Sequence, residues 1–336
     1  MKIKFAVIGC GSVGSKHIDL IKKNKNCELV SIIDISKKKL DYYKLKKILK
    51  FQSIRKFLNS SPTIDVAIIA TPNGLHASQA LDCLKNGMNV VIEKPMSLNS
   101  KDAKKIIEME KQSKKKVFVV MQNRFSPPSV WLKKIISNRI IGKIYFIKLD
   151  CFWNRDARYY KNHPWHGKRN LDGGTLFTQF SHFIDIIYWL FGDIKSSKSL
   201  FYNFNHKKLI QFEDSGSINF KIINNIQGIL NFSTSVFDKN LESTLTIIGE
   251  KGTVKVGGQY MEKLVYCNIA NYKTPILRKS SPSNDYGAYK GSANNHKYII
   301  KNIVDVLNNK SKIATTSLDG YKVVRIIERF YKNDKK

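Results

Sequence analysis

Ile3-Lys4-Phe5-Ala6-Val7-Ile8-Gly9-Cys10-Gly11-Ser12-Val13-Gly14 is the stretch that decides the fold. Residues 4–8 read as an apolar buried strand, and the strand runs straight into Gly-x-Gly-x-x-Gly. Residues 15–23 then place Ile18 and Ile21 on one face of a helix. The glycine pattern alone is common in loops. Between a strand and a helix the three glycines have distinct physical roles. Gly9 makes the tight turn, Gly11 lets the backbone approach a pyrophosphate, and Gly14 lets helix pack on strand. Ser12 and Val13 lie within the loop, where the amides of a helix N-terminus donate to phosphates. The stretch predicts a dinucleotide site.

Working outward, residues 27–33 form a second strand that ends at Asp34, about 20 residues past Gly14. A carboxylate there takes the ribose hydroxyls of NAD and repels the 2′-phosphate of NADP. Ile35 adjoins it, and Ser36 and Lys37 soften the preference. Further strands are expected at 65–70, 89–93 and 116–120, and helices at 37–49, 75–86 and 100–113, the last capped by Asn99 or Ser100. This alternation predicts an α/β Rossmann domain over residues 1–122, a parallel sheet with helices on both faces. Thr71-Pro72-Asn73 and Glu93-Lys94-Pro95 close two strands at the carboxyl edge of that sheet, where open α/β sheets bind ligands.

Beyond residue 122 the pattern changes. Segments 144–152, 217–224, 226–235 and 243–249 read as strands, with Asn224-Asn225 as a hairpin turn, and 297–307 and 318–331 as closing helices. Residues 123–336 are therefore expected to form an α+β domain with a large, mostly antiparallel sheet. Gly173-Gly174 leads into an unusually apolar helix over 175–191. Thr178, Gln179, His182 and Asp185 make a polar stripe along one side of it. Such a stripe is costly unless it lines a cavity. The plain alternative is a core histidine satisfied by Asp185. If the stripe faces a ligand, His182 is the natural proton acceptor, because a neutral imidazole titrates near working pH. Upstream, Trp153-Asn154-Arg155-Asp156-Ala157-Arg158-Tyr159-Tyr160 interleaves aromatics with arginines, which suits an anionic ligand. His163 and His166 have no companions at metal spacing, so no metal is expected.

Composition bounds the rest. The chain has 336 residues and a formal charge of +32. Lysine dominates the basic residues, and Asn and Ile are plentiful. That mix points to AT-rich codon usage rather than a nucleic-acid partner, which would favour arginine forks. The positive field would still attract an anionic substrate such as a nucleotide sugar. Five scattered cysteines without a Cys-x-x-Cys pair predict reduced thiols. No apolar run reaches the ~18 residues of a membrane span, and the first apolar run is too short for a signal peptide. A cytoplasmic location is the expectation.

Taken together, Gly-x-Gly-x-x-Gly, Thr71-Pro72-Asn73 with His76, Glu93-Lys94-Pro95, Gly173-Gly174, His182 and Asp185 resemble the glucose–fructose oxidoreductase / inositol dehydrogenase (Gfo/Idh/MocA) family. Within it, the Trp-Asn-Arg, Tyr-Tyr and Leu-Asp-Gly-Gly segments are most similar to the UDP-N-acetylglucosaminuronic acid 3-dehydrogenases of lipopolysaccharide and O-antigen sugar biosynthesis. The resemblance implies an NAD-dependent oxidoreductase, with NADP the second choice, acting as a homodimer or homotetramer on a nucleotide-sugar. It implies a cofactor held by Gly9, Gly11, Ser12, Val13, Gly14, Asp34, Ile35, Thr71, Pro72, Asn73, His76, Glu93, Lys94 and Asn123. It implies a substrate held by Lys94, Arg124, Arg155, Arg158, Tyr159, Thr178, Gln179 and His182, with Lys94 and His182 catalytic. Many relatives carry a carboxylate or amide four residues before the histidine. Here that residue is Thr178, which excludes a carboxylate acid at this position. The alternatives are a dehydrogenase of a free sugar or inositol, and a non-catalytic NAD(P)-sensing protein.

Overall fold

In a computed structural model the opening apolar run becomes β1 (Ile3–Ile8), an interior strand of a six-stranded parallel sheet. The structure describes residues 1–44, 47–60, 62–161, 163–287 and 289–333. They fall into two units, Met1–Val120 with His296–Val324, and Met121–Asn295 with Arg325–Lys336.

In the first unit, β1 is joined by β2 (Cys27–Ile33), β3 (Leu49–Phe51), β4 (Val66–Ile69), β5 (Asn89–Ile92) and β6 (Val117–Val119) in the order β3-β2-β1-β4-β5-β6. The order reverses between β1 and β4, and such a switch point opens a crevice at the carboxyl ends of the strands. All four residues of β4 are buried, as a strand covered on both faces requires. Helices α1 (Ser12–Lys23), α2 (Lys37–Tyr42), α3 (Ile54–Asn59), α4 (His76–Lys85) and α5 (Ser100–Ser113) connect the strands. The α5 start is fixed by Asn99, whose side chain accepts the Asp102 amide at 2.8 Å.

Two expectations needed correction here. The helix expected over 37–49 stops at Tyr42, and Leu49 opens β3 instead; residues 45 and 46 lie outside the described residues. The edge of β2 offers backbone groups that Leu49–Phe51 satisfies, and the Asp34 amide donates to the Phe51 carbonyl at 3.1 Å. Residues 296–324, expected in the second domain, group with the first. The reason is packing: the helix His296–Leu307 lies on α1, and the Val119 amide donates to the Thr315 carbonyl at 3.1 Å.

The second unit is built on a seven-stranded sheet formed by β7 (Ile144–Phe152), β8 (Ile194–Tyr202), β9 (Ser215–Ile222), β10 (Gln227–Ser233), β11 (Glu242–Gly249), β12 (Gly252–Gly257) and β13 (Lys263–Ile269). Their order is β13-β12-β11-β7-β10-β9-β8, antiparallel throughout except for the β7–β10 pair. The expected hairpin joins β9 to β10, with Asn225 at φ 63°. Alternate residues of β10 (Gly228, Leu230, Phe232) are buried, so one sheet face carries the core. Helices α6 (Pro127–Ser137), α7 (Ala157–Lys161) and α8 (Ser181–Phe191) belong to this unit. Phe180 and Phe183 pack edge-on against Trp153 at 5.5 and 5.6 Å, which sets the start of α8 against the sheet. α9 is the His296–Leu307 helix already described, and α10 (Ser317–Lys332) follows it. No helix among the described residues is long and apolar enough to cross a membrane.

Candidate active site

The first unit carries the glycine loop. Gly9 sits at φ 94°, and a Cβ there would meet the Ala70 carbonyl oxygen at 2.5 Å. A Cβ on Gly14 would lie 1.8 Å from the Gly9 carbonyl oxygen. Both positions are closed to any side chain. Gly11 differs, because a Cβ there would meet no protein atom within 4 Å. Its hydrogen faces open space in front of α1, whose N-terminus no side chain caps. A pyrophosphate fits this arrangement: uncapped amide donors with a backbone that can be approached.

Asp34 is held against the same loop. Its Oδ2 accepts the Cys10 amide at 2.8 Å, its Oδ1 accepts the Ser36 amide at 2.8 Å, and Lys39 Nζ lies 3.7 Å away. The carboxylate is thus fixed beside the glycines with Lys39 as counter-charge. Ile35 next to it is 88% exposed, an apolar surface open to a flat ring. Burial and the Asp34 carboxylate push the Cys10 thiol up to about 12, so it stays protonated and inert. All five cysteines are free.

His76 joins the two motif loops. Its Nδ1 lies 2.8 Å from the Pro95 carbonyl and its Nε2 lies 2.8 Å from the Thr71 carbonyl. The ring is buried, so it clamps Thr71-Pro72-Asn73 to Glu93-Lys94-Pro95 rather than presenting an edge to a ligand. Burial pulls its pKa down, opposed by the two carbonyls and the nearby Glu93. Thr71 Oγ1 donates to Gln79 Oε1 at 2.7 Å, and Asn73 is buried in the turn that precedes α4. Lys94 stands half-buried just past β5, on a cis Lys94–Pro95 peptide.

In the second unit, the expected helix 175–191 begins as a π-turn, Leu176–Phe180, and continues as α8. A π-turn widens the helix where Thr178 and Gln179 sit, a device frequent at functional sites. His182 Nε2 lies 3.2 Å from Gln122 Nε2. An amide NH2 only donates, so in this orientation His182 Nε2 is the unprotonated nitrogen. Asn123 is buried, and neither its Oδ1 nor its Nδ2 has a hydrogen-bond partner among the described residues.

Thr178 Oγ1 donates to the Asp172 carbonyl at 2.9 Å and to the Asp172 carboxylate. The carboxylate missing from the helix at this position is thus supplied by the loop before it. Asp172 is held in turn by the Gly167 amide at 2.8 Å. Arg155 is almost fully buried. It donates to Gln179 Oε1 at 2.7 Å, the Asn154 carbonyl at 2.5 Å and the Lys290 carbonyl at 3.1 Å. Its guanidinium lies among the faces of Trp153, Tyr159 and Tyr289, 4.8–5.2 Å from their centroids. Gln179 Nε2 donates to Tyr159 Oη at 2.8 Å. Arg155, Gln179 and Tyr159 therefore form one buried network in which every acceptor reached by Arg155 is neutral.

Two expected ligand contacts look different in place. Arg124 puts its fork on Asp185, with Nε–Oδ2 at 2.8 Å and Nη2–Oδ1 at 2.6 Å, and both side chains are buried. That bidentate pair also answers what Asp185 does: it pairs with Arg124. Arg158 is half-exposed and bonded to Asp156 and Asp238. Gln122, Asp172 and Glu213 were not singled out in the sequence. Gln122 had a signal, standing beside Asn123 past the fifth strand, and Asp172 stood in Leu-Asp-Gly-Gly. Glu213 had none. Its Oε1 accepts Tyr331 Oη at 2.6 Å and the Thr175 amide at 3.1 Å, at the start of the π-turn. Burial pushes its carboxyl up to about 7.

The fold and the loop geometry define an NAD-dependent oxidoreductase. Residues 3–121 match the oxidoreductase family with an NAD-binding Rossmann fold, and residues 130–255 match the GFO/IDH/MocA C-terminal domain. The chain belongs to the Gfo/Idh/MocA family, as an NAD-dependent dehydrogenase of a sugar or polyol. It is similar to the WlbA dehydrogenase of Bordetella pertussis, solved in complex with NADH and UDP-GlcNAcA. The TM-score is 0.88 at 29% identity, over 99% of this chain and 96% of that one. Among curated proteins it is 24% identical to glucose-6-phosphate 3-dehydrogenase of Bacillus subtilis, over 98% of this chain and 96% of that protein. It is also 24% identical to an inositol 2-dehydrogenase/D-chiro-inositol 3-dehydrogenase of Lactiplantibacillus plantarum, over 95% of this chain and 87% of that protein.

Proposed function

We propose that the chain oxidises a ring hydroxyl of a nucleotide-activated uronic acid, C3 of UDP-N-acetylglucosaminuronic acid, on the way to lipopolysaccharide and O-antigen sugars. The observation that carries this reading is the near-complete structural match to a dehydrogenase crystallised with that sugar nucleotide. The buried Arg155–Gln179–Tyr159 network supports it, because a cation surrounded by neutral acceptors leaves positive potential for an anionic ligand. The +32 charge of the chain adds to that potential.

NAD, when bound, supplies the hydride acceptor. The chain's own residues do the rest. The Gly9–Gly14 loop and the α1 N-terminus hold the pyrophosphate, and Asp34 holds the ribose. His182 takes the hydroxyl proton on Nε2, with the substrate hydroxyl replacing the Gln122 amide that otherwise donates to that nitrogen. Lys94 donates to the developing alkoxide. Asp172 and Thr178 orient the sugar ring. Arg124 acts through Asp185, holding α8 rather than touching the ligand. Location in the cytoplasm and assembly into dimers or tetramers belong to the same reading. Tyr145, Leu200, Tyr202 and Val265, all on strands of the large sheet, are exposed apolar residues that a second copy would cover.

The direct test is to incubate the protein with NAD and a panel of UDP-sugars and follow NADH. A second reading, oxidation of a free sugar or sugar phosphate, is favoured by the full-length match to glucose-6-phosphate 3-dehydrogenase. Turnover of glucose 6-phosphate but of no UDP-sugar would select it.

A further inference from the structure

Glu93 is a buried carboxylate at the end of β5, immediately before Lys94. It is enclosed by two helices. Its Oε1 lies 2.7 Å from His17 Nε2 on α1 and 3.6 Å from His296 Nε2 at the start of α9. Its Oε2 accepts the backbone amide of Lys94 at 3.3 Å. His17 and His296 are themselves buried, with their rings edge to face at 5.4 Å. Other charges around the carboxylate are Lys16 on α1, His76 on α4 and Lys94 itself.

A buried carboxylate costs several kcal/mol unless it is paired. Burial works against the charge on Glu93, and the hydrogen bond from His17 with the nearby His296 ring outweighs it, holding the carboxyl well below its usual range. Each carboxylate oxygen then has its own duty, one toward the helices and one toward the Lys94 amide. The separation of His17 Nε2 and Glu93 Oε1 is that of a hydrogen bond. A cation at ~2.0–2.1 Å from both atoms would spread His17 Nε2 and Glu93 Oε1 to about 3 Å or more. Neither histidine's Nδ1 has a hydrogen-bond partner among the described residues, whereas metal-bound imidazoles carry an acceptor there.

We infer that His17 and His296 are positioning residues: their imidazoles fix the Glu93 carboxylate, and Glu93 fixes the backbone from which Lys94 projects. The inference rests on the role of Lys94 given under Proposed function, so the test includes Lys94→Ala. The other variants are His17→Phe, which keeps bulk but loses the donor, His17→Gln, which restores a donor, and Glu93→Gln, which keeps shape without charge.

In His17→Phe, kcat should fall about tenfold or more, while NADH affinity and the sugar KM stay within about threefold. Glu93 will then take up a proton nearer neutrality, so the kcat–pH profile should gain a second acid limb beside the one that His182 gives the parent. His17→Gln should restore kcat and remove that limb. Glu93→Gln should lose rate with no limb beyond that of His182, and it decides the matter if His17→Phe does not fold. An unchanged profile with kcat within about twofold in both His17→Phe and Glu93→Gln would overturn the inference, provided Lys94→Ala is inactive. Equal losses in His17→Phe and His17→Gln, or one equivalent of bound zinc per chain, would also overturn it. Normal turnover by Lys94→Ala would instead refute the role of Lys94.

Discussion

Gly11→Ala separates the cofactor loop's binding role from its folding role. The residue has φ −76° and ψ −168°, extended backbone that alanine adopts freely. A methyl group there meets no protein atom within 4 Å, so the native state gains no clash. Loss of a glycine also reduces unfolded-chain entropy, worth about 0.4–1 kcal/mol in favour of the fold. Melting temperature should therefore hold or rise slightly. Binding should behave in the opposite way. The methyl projects in front of the uncapped α1 N-terminus, where the pyrophosphate has to make its amide contacts. Losing one or two charge-assisted hydrogen bonds at ~1.5–3 kcal/mol each predicts NADH affinity weaker by about tenfold to about 10⁴-fold. Gly14→Ala is the control with the contrary signature, since its methyl would sit 1.8 Å from the Gly9 carbonyl and must destabilise the fold. Fluorescence titration with NADH and a thermal melt read the two effects independently. Gly11→Ala protein that binds NADH like the parent would refute this account of the loop.

Asp34→Ala should lose NAD preference, read as the ratio of kcat/KM for NAD and NADP; an unchanged ratio would remove Asp34 from the ribose site. Lys94→Ala and His182→Ala should each cost on the order of 10²-fold or more in kcat with the fold and NADH affinity intact, as measured by steady-state rates beside circular dichroism. Glu213 carries a pH-dependent stability. Its folded carboxyl, raised to about 7, binds a proton that the unfolded chain releases near the ordinary value of 4.5. The contribution is therefore present in full below about pH 4.5 and is lost as pH rises to 7, by roughly 3 kcal/mol. Glu213→Gln should flatten that part of the stability–pH curve in denaturant titrations.

Much of the first unit was legible because parallel strands buried on both faces must be continuous apolar runs, and β1, β4 and β5 are. The α5 limits were equally plain, since Asn99 caps one end and Lys114 turns left-handed at φ 56° just past the other. β3 was hidden because a three-residue edge strand has no periodicity of its own, and its pairing with β2 overrode a lysine-rich helical pattern. β12 and β13 escaped for a related reason: most β13 side chains are not buried, so no alternation marks the strand. The return of His296–Val324 to the first unit is a tertiary matter that spacing cannot express. In the candidate site, the positions of the glycines and Asp34 could be read because a strand–turn–helix and the end of the next strand are local features. The protein partners of Arg124 and Arg155, Asp185 and Gln179, could not be read, because an arginine among aromatics carries no local sign of which side chain it bonds. The His17–Glu93–His296 cluster joins residues from three distant segments, and only the fold brings them together.

Action on a UDP-linked uronic acid is what sets the proposed reaction apart from that of the free-sugar and inositol dehydrogenases. The most direct measurement is the initial rate of NADH formation with UDP-N-acetylglucosaminuronic acid, beside UDP-N-acetylglucosamine, glucose 6-phosphate and myo-inositol at equal concentration. The account predicts the highest kcat/KM for UDP-N-acetylglucosaminuronic acid, with a 3-keto product. A rate for it no higher than for glucose 6-phosphate or inositol would contradict the account.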